Sequence, residues 1–315
     1  MTGDHQPRVV LVTGASSGIG RAAALQAARR GDHVGLLARG KDALKATARE
    51  CQEEGAASVA VLVADVGDDK SVEAAIARML AEHGAIDLVV HAAGVVAYGR
   101  TEDVPSEVFE GVLRTNLIGS VNVARHVIPV LRLQRRGGLV LVGSVIGHIA
   151  VPLMSPYVLS KWGVRALARQ LQIENRDLAD VHIAYVAPGG VDTPIYAQAA
   201  TILGMHGRPP PPVDSPERVA RIALRRGEHG QLREQVGITN DVMRFGFSAM
   251  PKLFNLLVGP LFAVGALDRT RPVDDGPGNV LTSQEEGNAL RGDQGNALIG
   301  ILRNVRTLIS HGRPR

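Results

Sequence analysis

Residues 8–38 constrain the fold more than any other stretch of the chain. Arg8-Val9-Val10-Leu11-Val12-Thr13 is an apolar, β-branched run of the kind that forms a buried strand. It passes without a spacer into Gly14-Ala15-Ser16-Ser17-Gly18-Ile19-Gly20. A helical pattern then runs from Arg21 to Arg30, is stopped by Gly31-Asp32, and gives way to a second strand, His33-Val34-Gly35-Leu36-Leu37-Ala38. Strand, glycine turn, helix and strand make a βαβ unit, with parallel strands and a right-handed crossover.

The alternation continues. Helices are predicted over 43–54, 71–82, 106–133 and 156–178, and strands over 59–63, 88–92, 138–142 and 181–186. Unalternating apolar strands between amphipathic helices predict an α/β fold: a Rossmann-like, doubly wound parallel sheet with helices on both faces. Beyond Pro188 the rhythm changes. A substrate loop is expected over 191–213, with a proline run at 209–212, and is read as a mobile lid. Ser215-Pro216-Glu217 opens a helix, and Gln235-Val236-Gly237-Ile238 reads as a short last strand. The reading is a coenzyme-binding domain over 1–240 and a C-terminal extension over 241–315. The extension comprises apolar helices in 245–267 (Lys252 the only charge, with breaks at Pro251 and Gly259-Pro260) and a polar, glycine-rich extended arm over 268–293. An amphipathic helix over 297–309 follows, with Leu298, Leu302, Val305 and Ile309 on one stripe.

Composition narrows the partners. The 35 basic and 31 acidic residues leave a net charge of +4, and aromatic residues are 3%, which argues against a dedicated nucleic-acid binder. The single cysteine, Cys51, excludes an intrachain disulfide and fits a reducing compartment. With no signal-like N-terminus and no long apolar run, a cytoplasmic protein without a spanning helix is expected; no metal site is expected.

The glycines let backbone N–H groups approach a pyrophosphate at a helix N-terminus, and Ser16 and Ser17 add hydroxyls. At the end of the second strand an acid would bond the ribose hydroxyls and repel a 2′-phosphate. Here Ala38-Arg39 stands instead, and a guanidinium can pair with a phosphate, so NADP(H) is expected; a solvated loop arginine is the plainer alternative. Asp65-Val66 follows the third strand, where the carboxylate can receive the adenine amino group or cap a helix. His91-Ala92-Ala93-Gly94 ends the fourth with small residues; His91 reads as structural.

Tyr157 and Lys161 are four residues apart, one turn along one face of a helix. An ammonium beside a phenol favours the phenolate, and a tyrosine so tuned can exchange a proton with an alcohol. Alone, the pair also fits a tyrosine packed on a lysine stem. In company with Thr13-Gly14-x-x-x-Gly18-x-Gly20, Asp65, Ala92-Ala93-Gly94, Asn116, Ser144 and Pro188-Gly189, it resembles the shorter-subtype short-chain dehydrogenase/reductases over about residues 8–240.

The resemblance implies that Ser144 orients a substrate carbonyl and Tyr157 is the general acid or base. It further implies that Lys161 lowers the tyrosine pKa and bonds the nicotinamide ribose, and that Asn116 holds a water linking lysine to solvent. Pro188, Gly189, Val191 and Thr193 would flank the nicotinamide, with the Val191 backbone and the Thr193 hydroxyl on its carboxamide. Two departures stand out. The family commonly has Asn-Asn-Ala-Gly where this chain has His91-Ala92-Ala93-Gly94, and the family's glycine- and acid-rich last strand is absent. Leu153, Met154, Ile195 and Tyr196 are expected to line the substrate pocket, pointing to a steroid, polyketide-like or acyl-chain ketone. The expected activity is NADP-dependent interconversion of a carbonyl and an alcohol, against an alternative of an idle NADP-sensing scaffold. The apolar extension is read as a roof over the cleft, a homo-oligomer interface or, least favoured, a peripheral membrane contact.

Overall fold

The structure is a computed structural model describing residues 6–231, 233–295 and 299–304. In chain order its elements begin β1 Val9–Thr13, α1 Gly18–Ala28, β2 His33–Ala38, α2 Lys41–Glu53, β3 Ser58–Val63, α3 Asp69–His83, β4 Leu88–His91 and β5 Ala97–Tyr98. Then come α4 Ser106–Leu113, α5 Gly119–Gln134, β6 Gly137–Val142, α6 Ser155–Glu174, β7 Val181–Val186, β8 Gly190–Val191, β9 Ala200–Thr201, β10 Met205–Gly207 and β11 Val213–Asp214. The series ends with α7 Pro216–His229, α8 Ile238–Ala249, α9 Pro251–Gly265 and β12 Leu267–Pro272.

Six strands form one parallel sheet in the order β3-β2-β1-β4-β6-β7. Period-2 alternation sends the strands' apolar residues into two cores. Leu11, Val89, Leu139 and Ile183 face one, and Val10, Val90, Val140 and Ala184 the other. Because both faces are covered by helices, the strands read as continuous apolar runs. Helix ends follow their local chemistry: Asp68 caps α3, accepting from Lys70 N, and Ser215 caps α7, accepting from Arg218 N. Cys51 is buried on α2, and burial pushes its thiol up to about 12.

Several expectations are corrected. The helix predicted over 106–133 is continuous, but it widens into a π-turn at Arg114–Ile118. The last strand at 235–238 is a single bridge between Ala187 and Gln235, because Gly237 (φ 87) turns the chain into α8. Gly259-Pro260 does not break α9: Pro260 lies inside the helix, on an exposed face.

Segment 191–213 is laced to its neighbours rather than lying as a free loop. β8 pairs with β11, β9 with β5, and β10 with β12. Residues 299–304 are helical, but Leu302 is exposed and Asn304 is buried, its carboxamide donating to Val264 O and Leu267 O. That helix therefore docks through a polar residue; Ala297, Leu298, Val305 and Ile309 lie outside the described residues. No helix among the described residues is long and apolar enough to cross a membrane.

Candidate active site

The C-terminal ends of β1, β2, β3 and β4 open onto a cleft, as expected where a doubly wound sheet reverses strand order. Gly14 takes a left-handed φ of 66°, and a Cβ there would lie 2.8 Å from the Ala93 backbone. A Cβ on Gly20 would lie 2.2 Å from Gly14 O. Only glycine lets the turn fold this tightly against β4. The cleft encloses about 140 Å³, walled by Ser16, Ser17, Gly18 and Ile19 on one side and Asp65, Val66, Ala92 and Gly94 on the other. Thr193 closes one end, its side chain against Gly18. Asp65 accepts from Gly67 N at 2.8 Å, holding the turn after β3.

The polar arm is not extended into solvent. It runs back over this cleft, and Asn279, Ser283, Gln284 and Asn288 form part of its wall. Gly18 N donates to Ala289 O at 2.9 Å. Arg39, expected to face a coenzyme phosphate, donates instead to the backbone carbonyls of Asn279 and Val280.

Beneath the cleft a chain of hydrogen bonds replaces the family's usual amides. Ala93 N donates to Thr13 Oγ1, which lies 2.8 Å from His91 Nδ1; His91 Nε2 lies 3.0 Å from Ser120 Oγ, which donates to Asn116 O. These partners assign the proton to Nε2. Burial pushes His91 down to about 3, helped by the Lys161 charge. His91 is therefore a neutral brace joining β1, β4 and the π-turn.

Asn116 sits in that π-turn, 1% exposed. Its Oδ1 accepts from Val95 N at 2.8 Å, and its Nδ2 donates to Val95 O at 2.9 Å and Ser160 Oγ at 3.0 Å. Ser160 Oγ donates to Tyr157 O, so Asn116 reaches the tyrosine through α6. A Cβ on Gly94 would lie 3.4 Å from Asn116 Oδ1 and 3.7 Å from Lys161 Nζ, which places all three at one point of the cleft.

Lys161 is 5% exposed and donates to Val142 O at 3.1 Å; burial lowers its pKa to about 8. Its Nζ is 5.5 Å from the Tyr157 ring centroid. Contrary to expectation, the Tyr157 phenol is not pulled down by that lysine. Burial pushes it up to about 12, and a hydrogen bond with Ser144 offsets only part of the rise. At neutral pH the phenol holds its proton, which is the state of a proton donor.

Ser144 ends the β6 loop, buried, its Oγ accepting from Ile146 N. Tyr185 on β7 holds this loop from behind and was not singled out from sequence, where it is one aromatic in an apolar strand. Val145 N donates to Pro188 O at 2.8 Å, joining that loop to the Pro188-Gly189 turn, and Val191 is buried on β8.

Tyr157 and Ser144 also face a second, larger cavity of about 540 Å³. Of the four residues assigned to a substrate pocket, Met154, Ile195 and Tyr196 line this cavity and Leu153 does not. Leu153 has a left-handed backbone (φ 63) and its side chain packs into the adjoining apolar cluster. Val96 and Tyr98, which no sequence motif marks, also line the cavity, and Phe254, Leu257 and Phe262 from α9 form the far wall, on the side where the apolar extension is read as a roof. Ile195 borders both cavities.

Sheet order and a glycine cradle that a Cβ would fill fit a dinucleotide coenzyme. The chain belongs to the short-chain dehydrogenase family, whose model, described as "short chain dehydrogenase", matches residues 8–201. It is an oxidoreductase of the NAD(P)-using kind. It is 30% identical over 235 residues to 3-ketodihydrosphingosine reductase of Bos taurus, covering 72% of this chain and 70% of that one. It is 33% identical over 187 residues to an NADPH-dependent pterin aldehyde reductase of Arabidopsis thaliana, covering 59% and 76%. An alcohol dehydrogenase of Thermococcus sibiricus, solved with 5-hydroxy-NADP, superposes with a TM-score of 0.64 at 30% identity, covering 73% of this chain and 95% of that one.

Proposed function

We propose that the protein is an NADP(H)-dependent oxidoreductase that interconverts a lipophilic ketone or aldehyde and its alcohol. The observation that carries this reading is the placement of Tyr157 and Ser144. Both lie in the wall of an apolar cavity of about 540 Å³, and Lys161, one turn along α6, lies against Gly94 of the coenzyme cleft.

Ser144 positions the carbonyl oxygen by hydrogen bonding, and the protonated Tyr157 donates its proton to that oxygen as the alcohol forms. Lys161, buried and cationic below about pH 8, holds the ribose hydroxyls and places positive charge beside the phenol as it loses its proton. Asn116 keeps Val95 and Ser160 in register with Tyr157. A nicotinamide coenzyme bound in the cleft would supply or accept the hydride. Gly14, Ser16, Ser17, Gly18, Ile19 and Gly20 would hold its phosphates, Asp65 and Val66 its adenine, and Pro188, Gly189, Val191 and Thr193 its nicotinamide.

The absence of an acid at Ala38 and the presence of Arg39 favour NADP(H) over NAD(H). Residues 1–240 are read as the coenzyme-binding unit and 241–315 as an extension that completes the cavity walls. Exposed Phe245, Leu256 and Leu261 on α8 and α9 support a homo-oligomer interface. The test is a panel of ketones and aldehydes with NADPH, run on wild type and Tyr157→Phe. Turnover lost with coenzyme binding retained supports the reading; no NADPH oxidation by wild type across the panel favours an idle coenzyme-binding scaffold.

A further inference from the structure

Residues 276–292 are bonded along the whole length of the coenzyme cleft. At one end Arg39 donates to Asn279 O and Val280 O. Next, the Glu285 carboxylate accepts from Asp42 N at 2.8 Å and Ala43 N at 2.9 Å. These are orphan amides of α2, whose own N-cap residue, Gly40, has no side chain to offer. In the middle, Gln198 Nε2 donates to Gln284 O at 3.1 Å and Asn288 Oδ1 at 3.0 Å, and Gly18 N donates to Ala289 O. At the other end Gly292 N donates to Asp192 Oδ1 at 3.1 Å.

The groups suited to hold a phosphate at the end of β2 are the Arg39 guanidinium and the first amides of α2. The arm occupies both. An anionic carboxylate and a phosphate cannot share the same two amides, and the two charges repel. Asn279, Ser283, Gln284 and Asn288 of the arm form part of the wall of the cleft beneath, which leaves about 140 Å³. A 2′-phosphate brings close to two negative charges and competes with the Glu285 carboxylate for these amides and with the Asn279 and Val280 carbonyls for Arg39; an unphosphorylated ribose makes no claim on that seat and leaves Glu285 in place.

We propose that residues 276–292 are a strap belonging to the coenzyme site, and that Glu285 is its selectivity residue, holding the phosphate seat beside Arg39 until the 2′-phosphate of NADP(H) takes it. The proposal rests on the NADP(H) reading above. Glu285 opposes the phosphorylated coenzyme and is neutral toward the other, so it sets how strongly the protein prefers NADP(H).

The test is direct titration of the full chain with NADPH and with NADH, for wild type, Glu285→Gln and Arg39→Ala. Glu285→Gln should tighten NADPH by about three- to tenfold, the size of one charge removed at a helix terminus, and leave NADH within twofold, roughly the scatter expected where no charge contact changes. Unchanged or weaker NADPH binding by Glu285→Gln overturns the proposal, whatever the coenzyme preference. The preference is judged separately, from the wild-type NADPH/NADH ratio and its fall in Arg39→Ala. Hydrogen exchange on wild type gives a readout independent of any variant. Adenosine 2′,5′-bisphosphate should speed exchange over 283–288, where 5′-AMP does not; equal responses to the two fragments also overturn it.

Discussion

One hydroxyl holds the loop that carries Ser144: Tyr185 OH accepts from Ser144 N at 3.3 Å and donates to Ser144 O at 3.2 Å. A Cβ on Gly143 or Gly147 would collide with the same tyrosine, so the loop is moulded onto the ring. Tyr185 lines neither cavity. It positions Ser144, which lines the larger one.

Tyr185→Phe keeps the ring and removes the tie. Ser144 O keeps its bond from Gly147 N at 3.0 Å, but leaving the buried Ser144 N–H unpaired costs about 1–3 kcal/mol, read as a lower unfolding midpoint. kcat should fall by about tenfold, the order expected for slight misplacement of a positioning group, with coenzyme affinity unchanged. A fall in stability with kcat untouched would limit Tyr185 to a structural role.

Lys161 is cationic where burial disfavours charge, with a folded pKa of about 8 against 10.5 for the free group. Between those values the unfolded chain binds the extra proton, so stability rises as the pH climbs from about 8 to 10.5. Lys161→Met should add about 3 kcal/mol at pH 7, flatten that rise, and abolish turnover. In wild type, kcat/KM for the coenzyme should decline as the pH passes about 8, with the loss of a single proton. A flat profile over that range would count against a charged lysine at the ribose.

His91 gives the opposite end of the pH scale. Its folded pKa of about 3 lies below the ordinary 6.5, so the unfolded chain binds the extra proton between them. Stability is intact above 6.5 and is lost as the pH falls toward 3, by up to about 5 kcal/mol from this group. His148, lowered to about 4 chiefly by burial, adds to the same slope. Denaturant melts across this range should show a shallower loss for His91→Asn than for wild type. Equal slopes would remove His91 as the source.

The larger cavity predicts a chain-length series. Each methylene buried there contributes about 0.8 kcal/mol, so kcat/KM for straight-chain ketones should grow about fourfold per carbon until the cavity is filled. Leu257→Trp, in the wall contributed by α9, should bring that limit to shorter chains while leaving small ketones unaffected. A response that ignores chain length would argue for a compact or polar substrate.

The sheet was legible because its strands are continuous apolar runs, and the coenzyme cradle because its glycines sit between a strand and a helix. Ser144, Asn116, Tyr157 and Lys161 fall at one place, as their order along the chain implied. Three things were not legible. The π-turn at Asn116 has no residue pattern that separates it from an ordinary helix. Tyr185 acts through its hydroxyl on a neighbouring strand's loop, which a buried-strand pattern does not encode. The arm has no hydrophobic period, and its partners lie far away in sequence: Arg39 bonds Val280 across a separation of 241 residues. A polar segment held by bonds to residues this distant gives no sequence sign of where it lies.

That same separation has a consequence during synthesis. At about 5–20 residues per second a ribosome takes roughly 12–48 seconds to travel from Arg39 to Val280. The cleft's own walls, from Gly14 to Gln198, are therefore all made before the residues that cover them.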